Sequence, residues 1–134
     1  MLAAVAGHPN VKPTTLWAVV NNVGTGRCAV LAAKNPHADG RVLDFLAHNT
    51  TLPAVYVHVG SHGNAWPETL RFLATHKNSV RVAKALSANP RTPGVVLDFL
   101  AHYGDVACRD FIKDNPNVSA ETRAYIVQSS VNIF

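Results

Sequence analysis

The string Val-Leu-Asp-Phe-Leu-Ala-His occurs at Val42–His48 and again at Val96–His102, 54 residues later. Fifty-four residues hold two periods of 27. A turn residue recurs at that shorter spacing: Pro9, Pro36, Gly63, Pro90 and then, after 26 residues, Pro116. Self-similarity at a fixed period of this size is the signature of short supersecondary units stacked side by side. The 134 residues divide into five such units, approximately 1–26, 27–53, 54–80, 81–106 and 107–134, within a single helical-repeat domain. The repeat dictates how the chain is built without naming a reaction or a partner.

Aligning the units on the turn residue gives rows. Eight residues before it stand Met1, Cys28, Val55, Val82 and Cys108; five before, Ala4, Leu31, His58, Ala85 and Phe111; four before, Val5, Ala32, Val59, Leu86 and Ile112. Offsets of three and four share one helix face, so each unit is expected to open with a short helix whose apolar stripe points inward. The residue just before the turn is His8, Asn35, His62, Asn89 or Asn115. A second punctuation follows at Pro13, Gly40, Pro67, Pro93 and Ala120, with Asp39, Thr92 and Ser119 nearby as N-cap candidates.

A second helix then carries the strongest ladders. Leu16, Leu43, Leu70 and Leu97 form one row, broken by Arg123. Ala18, Phe45, Phe72, Phe99 and Tyr125 form the next, and Val19, Leu46, Leu73, Leu100 and Ile126 a third. One such helix cannot bury this face alone, whereas stacked neighbours can. The single residue lost in the 26-residue step falls in the connection Gly104–Val106, where a change of length costs least. The expected class is therefore all-α: about five units of short helix, turn and longer helix with a period of 27.

Units two and four carry a further pattern in Ala33, Asn35, Pro36, Val42, Leu43, Leu46 and Ala47, and in Ala88, Asn89, Pro90, Pro93, Val96, Leu97, Leu100 and Ala101. This pattern resembles the leucine-rich repeat variant family, with HEAT-like repeats as the neighbouring alternative. The resemblance implies a right-handed α-solenoid in which longer helices alternate with shorter, often 3₁₀, ones. It implies no settled activity. Some relatives carry a cysteine-rich iron–sulfur segment ahead of the repeats. Here the chain starts in the first repeat, so that cofactor is not implied and none is expected.

Composition narrows the functional classes. At 48% hydrophobic the chain can supply a continuous core. No apolar run approaches the roughly 18 residues of a membrane span. The start has no basic n-region, so no signal peptide is expected. Two cysteines form neither a metal spacing nor a disulfide framework, and a cytoplasmic setting is expected. A net charge of +4 permits an acidic partner without demanding one.

Candidate chemistry is sparse. Cys28 and Cys108 share their row with Met1, Val55 and Val82, which predicts buried, reduced thiols acting as small hydrophobes. His58 and His62 have an i, i+4 chelate spacing, but His62 fills the turn row and no third ligand matches, so no metal site is expected. His48 and His102 lie in a polar row with Asn21, Thr75 and Gln128, where capping of the second helix is expected. Asp44, Arg71 and Asp98 alternate in sign along one row, which predicts an inter-unit mesh of ion pairs. Asp44 and Asp98 are too far apart for paired-carboxylate catalysis. No nucleophile–base pair or phosphate loop is present, so the chain is read as not an enzyme.

Surfaces remain. Arg27, Lys34, Arg81, Lys84, Arg109 and Lys113 favour the first helices and would suit a nucleic-acid backbone, but residues 54–60 of unit three interrupt them without a formal charge. In unit three the inward positions are read as Val55, His58 and Val59. Tyr56 and Val57 would then point outward beside Val30, rimmed by Arg27, Arg81 and Lys84: an apolar patch for a partner. The rival reading is that Val-Tyr-Val-His-Val alternates like a strand and that the segment leaves the helix, burying Tyr56. The apolar residues 131–134 and the uncapped first unit leave the stack ends as surfaces for self-association. The expected function is a non-enzymatic protein-interaction or scaffold module, with a nucleic-acid-binding module on the basic first helices as the alternative.

Overall fold

Every regular element among the described residues of the computed structural model is helical. Those residues are 6–8, 10–12, 14, 15, 17, 18, 27–104 and 106–131. The remainder of unit one, residue 105 and the tail at residues 132–134 lie outside them. The helices are α1 (Arg27–Lys34), α2 (Gly40–Asn49), α3 (Pro53–Gly60), α4 (Pro67–His76), α5 (Val80–Ala88), α6 (Gly94–Tyr103), a 3₁₀ turn (Val106–Cys108), α7 (Arg109–Lys113) and α8 (Ala120–Val131). The 3₁₀ turn falls in the unit whose connection is one residue short.

Contacts sort the helices into two rows. First helices touch in the order α1, α3, α5, α7, and second helices in the order α2, α4, α6, α8. Among the described helices, each touches only those one or two places along the chain. The core lies between the rows. Leu43, Leu46, Leu70, Leu73, Leu97 and Leu100 are fully buried, and Phe45, Phe72 and Phe99 pack half-buried against them. Burying each such leucine stabilises the fold by about 1.5–3 kcal/mol relative to exposure.

Local signals explain the boundaries. Asp39 caps α2 by accepting the Val42 N–H at 3.0 Å, and Ser119 accepts the Thr122 N–H at 3.0 Å. Thr92 does not cap. It is buried and donates to the Leu86 carbonyl at 2.7 Å, which leaves Pro93 as the N-cap of α6. Proline opens α3 and α4, where its missing N–H is no loss.

The turn row joins the units. Asn35 Nδ2 donates to the carbonyls of Ala6 and His8 at 2.8 and 2.9 Å, and Asn35 Oδ1 accepts the His37 N–H. Asn89 repeats this on Gly60, His62 and Arg91, and Asn115 on Ser87, Asn89 and Asn117. These asparagines are buried, so each bond also satisfies a polar group that would otherwise be stranded.

The inward register of the first helices differs from the expected one. On α3 the buried residues are Val55, Tyr56, Val59 and Gly60; on α5 they are Val82, Ala83, Leu86 and Ser87. Tyr56 therefore points inward, is 8% exposed and donates its hydroxyl to the Thr50 carbonyl. The reason is space and a polar anchor. The matching positions on α1 and α5 are Ala29 and Ala83, which leave room for a ring. The Lys77 ammonium lies 5.4 Å from that ring. The segment is nevertheless α-helix, not a strand-like irregularity. Cys108 is buried, while Cys28 is only half-buried, and neither is in a disulfide.

Candidate functional site

With Tyr56 turned inward, the outer side of the first helices is built from other residues. Val30 and Val57 remain, both half-buried against the core. His58, expected inward, is half-exposed beside them. Lys34 on α1 and Arg81 and Lys84 on α5 are exposed. Arg27 opens α1, and its side chain lies outside the described residues. Of the expected patch, Val30, Val57, Arg81 and Lys84 thus share the outer side of three successive helices, and Tyr56 does not.

His58 reports the electrostatics of this face. Its pKa is lowered from the usual 6.5, first by burial, then by the positive charges of Lys34 and Arg81. Lys34 and Arg81 thus reach His58 from either side, and His58 fills the gap that unit three leaves in the row of cations. At neutral pH the imidazole is neutral. The face is then a pair of valines and an uncharged ring between two cationic flanks, a combination that accepts an apolar surface with acidic margins.

The second helices carry a different polar chemistry from the expected mesh of ion pairs. Asp44 accepts a hydrogen bond from the Thr69 hydroxyl at 2.7 Å, and Asp98 accepts one from Thr122 at 2.9 Å. Arg71 makes no ion pair with either aspartate. His48 and His102 turn back along their own helices, Nδ1 donating to the Asp44 and Asp98 carbonyls at 2.9 Å. Their rings stack on the next unit, His48 on Phe72 at 3.9 Å and His102 on Tyr125 at 4.1 Å. The two copies of Val-Leu-Asp-Phe-Leu-Ala-His therefore do the same work. Each presents an acceptor and a ring to a following unit that brings Thr and an aromatic.

His62, expected as a turn residue rather than a metal ligand, bonds to backbone groups through both ring nitrogens. His62 Nε2 donates to the Asn35 carbonyl at 2.8 Å, and its Nδ1 accepts the Asn64 N–H at 3.0 Å. Both ring nitrogens are used in imitating the asparagines of the same row. Among the described residues no group of three metal-ligating side chains gathers, and no helix is long and apolar enough to cross a membrane. Comparison with family models, curated proteins and solved structures finds no match to this chain.

Proposed function

We propose that this chain is a right-handed α-solenoid of about five two-helix units, of leucine-rich repeat variant type, acting as a non-enzymatic protein-interaction module. Support for the architecture comes from helix contacts that run only to near neighbours and from asparagine bonds spanning 26–29 residues. The functional reading rests on one observation: Val30, Val57 and the neutral His58 share an outer face with Lys34, Arg81 and Lys84. Such a face suits a protein surface with apolar residues and acidic margins.

The nucleic-acid alternative is favoured by the position of His58 between Lys34 and Arg81. Against it, His58 is neutral at neutral pH and valines interleave the cations on α1 and α3, with Phe111 on α7 the exposed aromatic of the row among the described residues, which leaves few phosphate contacts. Capture from cell lysate at moderate salt, with and without nuclease, separates the two. Nuclease-insensitive capture of a protein, lost in Val57→Ser with Arg81→Glu while the melting temperature holds, is the expected result. Steeply salt-dependent binding to generic DNA or RNA, with no such capture, would establish the alternative instead.

A further inference from the structure

Along the second helices, each half-buried aromatic receives a ring from the unit before it, with one exception. Phe45 meets Trp17 edge-on at 5.2 Å, Phe72 is covered by His48 at 3.9 Å, and Tyr125 by His102 at 4.1 Å. Among the described residues Phe99 has only Tyr103, one turn along its own helix, at 5.3 Å. In the row of His48 and His102, unit three carries Thr75, whose hydroxyl bonds the Arg71 carbonyl of its own helix. Where the sister junctions hold an imidazole, this junction holds a cavity of about 180 Å³ lined by Arg71, Ala74, Thr75, Val95, Val96 and Phe99. A space of about 150 Å³ takes a benzene-sized ring.

The charge at the same junction is also inverted. Arg71 stands in the row of Asp44 and Asp98, and Val96 faces it in the row of Thr69 and Thr122. Among the described residues the Arg71 guanidinium has neither an ion-pair nor a hydrogen-bond partner. Beyond Arg71 the groove continues into a second recess of about 190 Å³ between Pro67, Glu68 and Pro93. Arg71 is exposed at the mouth of this groove, so an occupant that offers a ring to Phe99 and an anion to Arg71, and that extends further than one ring, complements both recesses.

We infer that the groove between α4 and α6 binds an extended segment of a partner protein, with an aromatic side chain stacked on Phe99 and a carboxylate paired to Arg71. In an extended chain, residues two apart point the same way, so the recognised pattern is an acidic residue two positions from an aromatic one. The inference rests on the reading of the chain as a protein-interaction module, but it uses the opposite row of helices from the face built on Val57.

The test uses the full chain and the peptide acetyl-Gly-Asp-Gly-Trp-Gly-amide, followed through the methyl NMR signals of Ala74, Val95 and Val96. Saturable shifts are expected, with affinity at least tenfold lower for the peptides in which Asp becomes Lys or Trp becomes Ala. Arg71→Gln should remove the preference for Asp over Lys. Thr75→His should fill the cavity with the junction's own ring and abolish binding without lowering the melting temperature; if that variant does not fold, Arg71→Gln decides. Shifts indifferent to the peptide's charge, or none at millimolar peptide, would overturn the inference. Binding of free indole-3-acetate as tight as the peptide would also overturn it, by showing a small-molecule site. Shifts at Val30 and Val57 instead would sink the groove while leaving the interaction-module reading intact.

Discussion

Asn89 shows what one residue contributes to this architecture. Its amide donates to Gly60 and His62 in the unit before and accepts the Arg91 N–H in its own. Asn89→Ala strands the buried Gly60 carbonyl and the part-buried His62 carbonyl, and a stranded buried group costs about 1–3 kcal/mol. Thermal denaturation should show a fall of that order or more. His62→Asn should by contrast be close to neutral, because the ring already makes one of the two donor bonds of the asparagines and the same acceptor bond. The sequence exposed this row as punctuation at the turn, but not its work, because the accepting carbonyls lie a full unit upstream. His58 supplies the pH dependence. A base held below its usual 6.5 stays neutral in the folded chain at pH values where the unfolded chain has taken up a proton. Its stabilisation is therefore complete above pH 6.5 and is lost as pH falls through the lower folded value. The melting temperature of wild type should drop faster than that of His58→Gln between pH 7 and 5. Arg81→Gln should raise the imidazole pKa in an NMR titration.

At the scale of the element, the rotation of the second helices was legible, and that of the first helices only in part: Val55, Val59, Val82 and Leu86 are buried as expected, while Tyr56 is buried in place of His58. Three apolar rows per second helix fix its rotation, and the six leucines of those rows among the described residues are fully buried as expected. Leu70→Ala, at the central unit, should cost about 2–5 kcal/mol by opening a cavity that packed neighbours cannot close. A denaturant titration with unchanged slope would read that loss directly. The first helices have eight or nine residues in units two to four. Over so short a span a face rotated by one residue fits the same apolar string almost as well. On α3, where nearly every residue is apolar, nothing in the string distinguishes Tyr56 from His58. The tyrosine's anchor on Thr50 and the alanines at its level settle the choice, and both are features of the packed structure. A similar dependence on neighbours explains Gly40. A Cβ there would sit 1.9 Å from Trp66 Nε1 of the next unit, so the indole lies where any side chain would be. The spacing marked Gly40 only as a substitute for proline.

At the scale of the whole molecule, the 54-residue echo matters more than the 27-residue period. Units two and three are joined by Asp44 to Thr69, His48 to Phe72, and Asn64 to the carbonyls of Pro36 and Ala38. Units four and five repeat all three devices through Asp98 and Thr122, His102 and Tyr125, and Asn117 with Pro90 and Thr92. Between units three and four, the asparagine bonds of Asn89 remain, but Arg71, Thr75 and Arg91 replace the residues that make the rest. Among the described residues, units two and three thus form one such pair and units four and five another, and the junction between the pairs has fewer side-chain hydrogen bonds and ring contacts. In a chain stabilised by nearest-neighbour interfaces, the weakest interface sets where cooperativity breaks. Native-state hydrogen exchange with rising denaturant should therefore resolve two groups of amides. Those of α2 to α4 should converge on one opening free energy and those of α6 and α8 on another, with α4 and α6 separating first along their shared groove. Installing the sister chemistry with Arg71→Asp, Thr75→His and Val96→Thr should merge the groups and raise the melting temperature. A single global opening in wild type, or a triple variant that separates at the same denaturant concentration, would show that the asparagine bonds and leucine core alone carry the coupling.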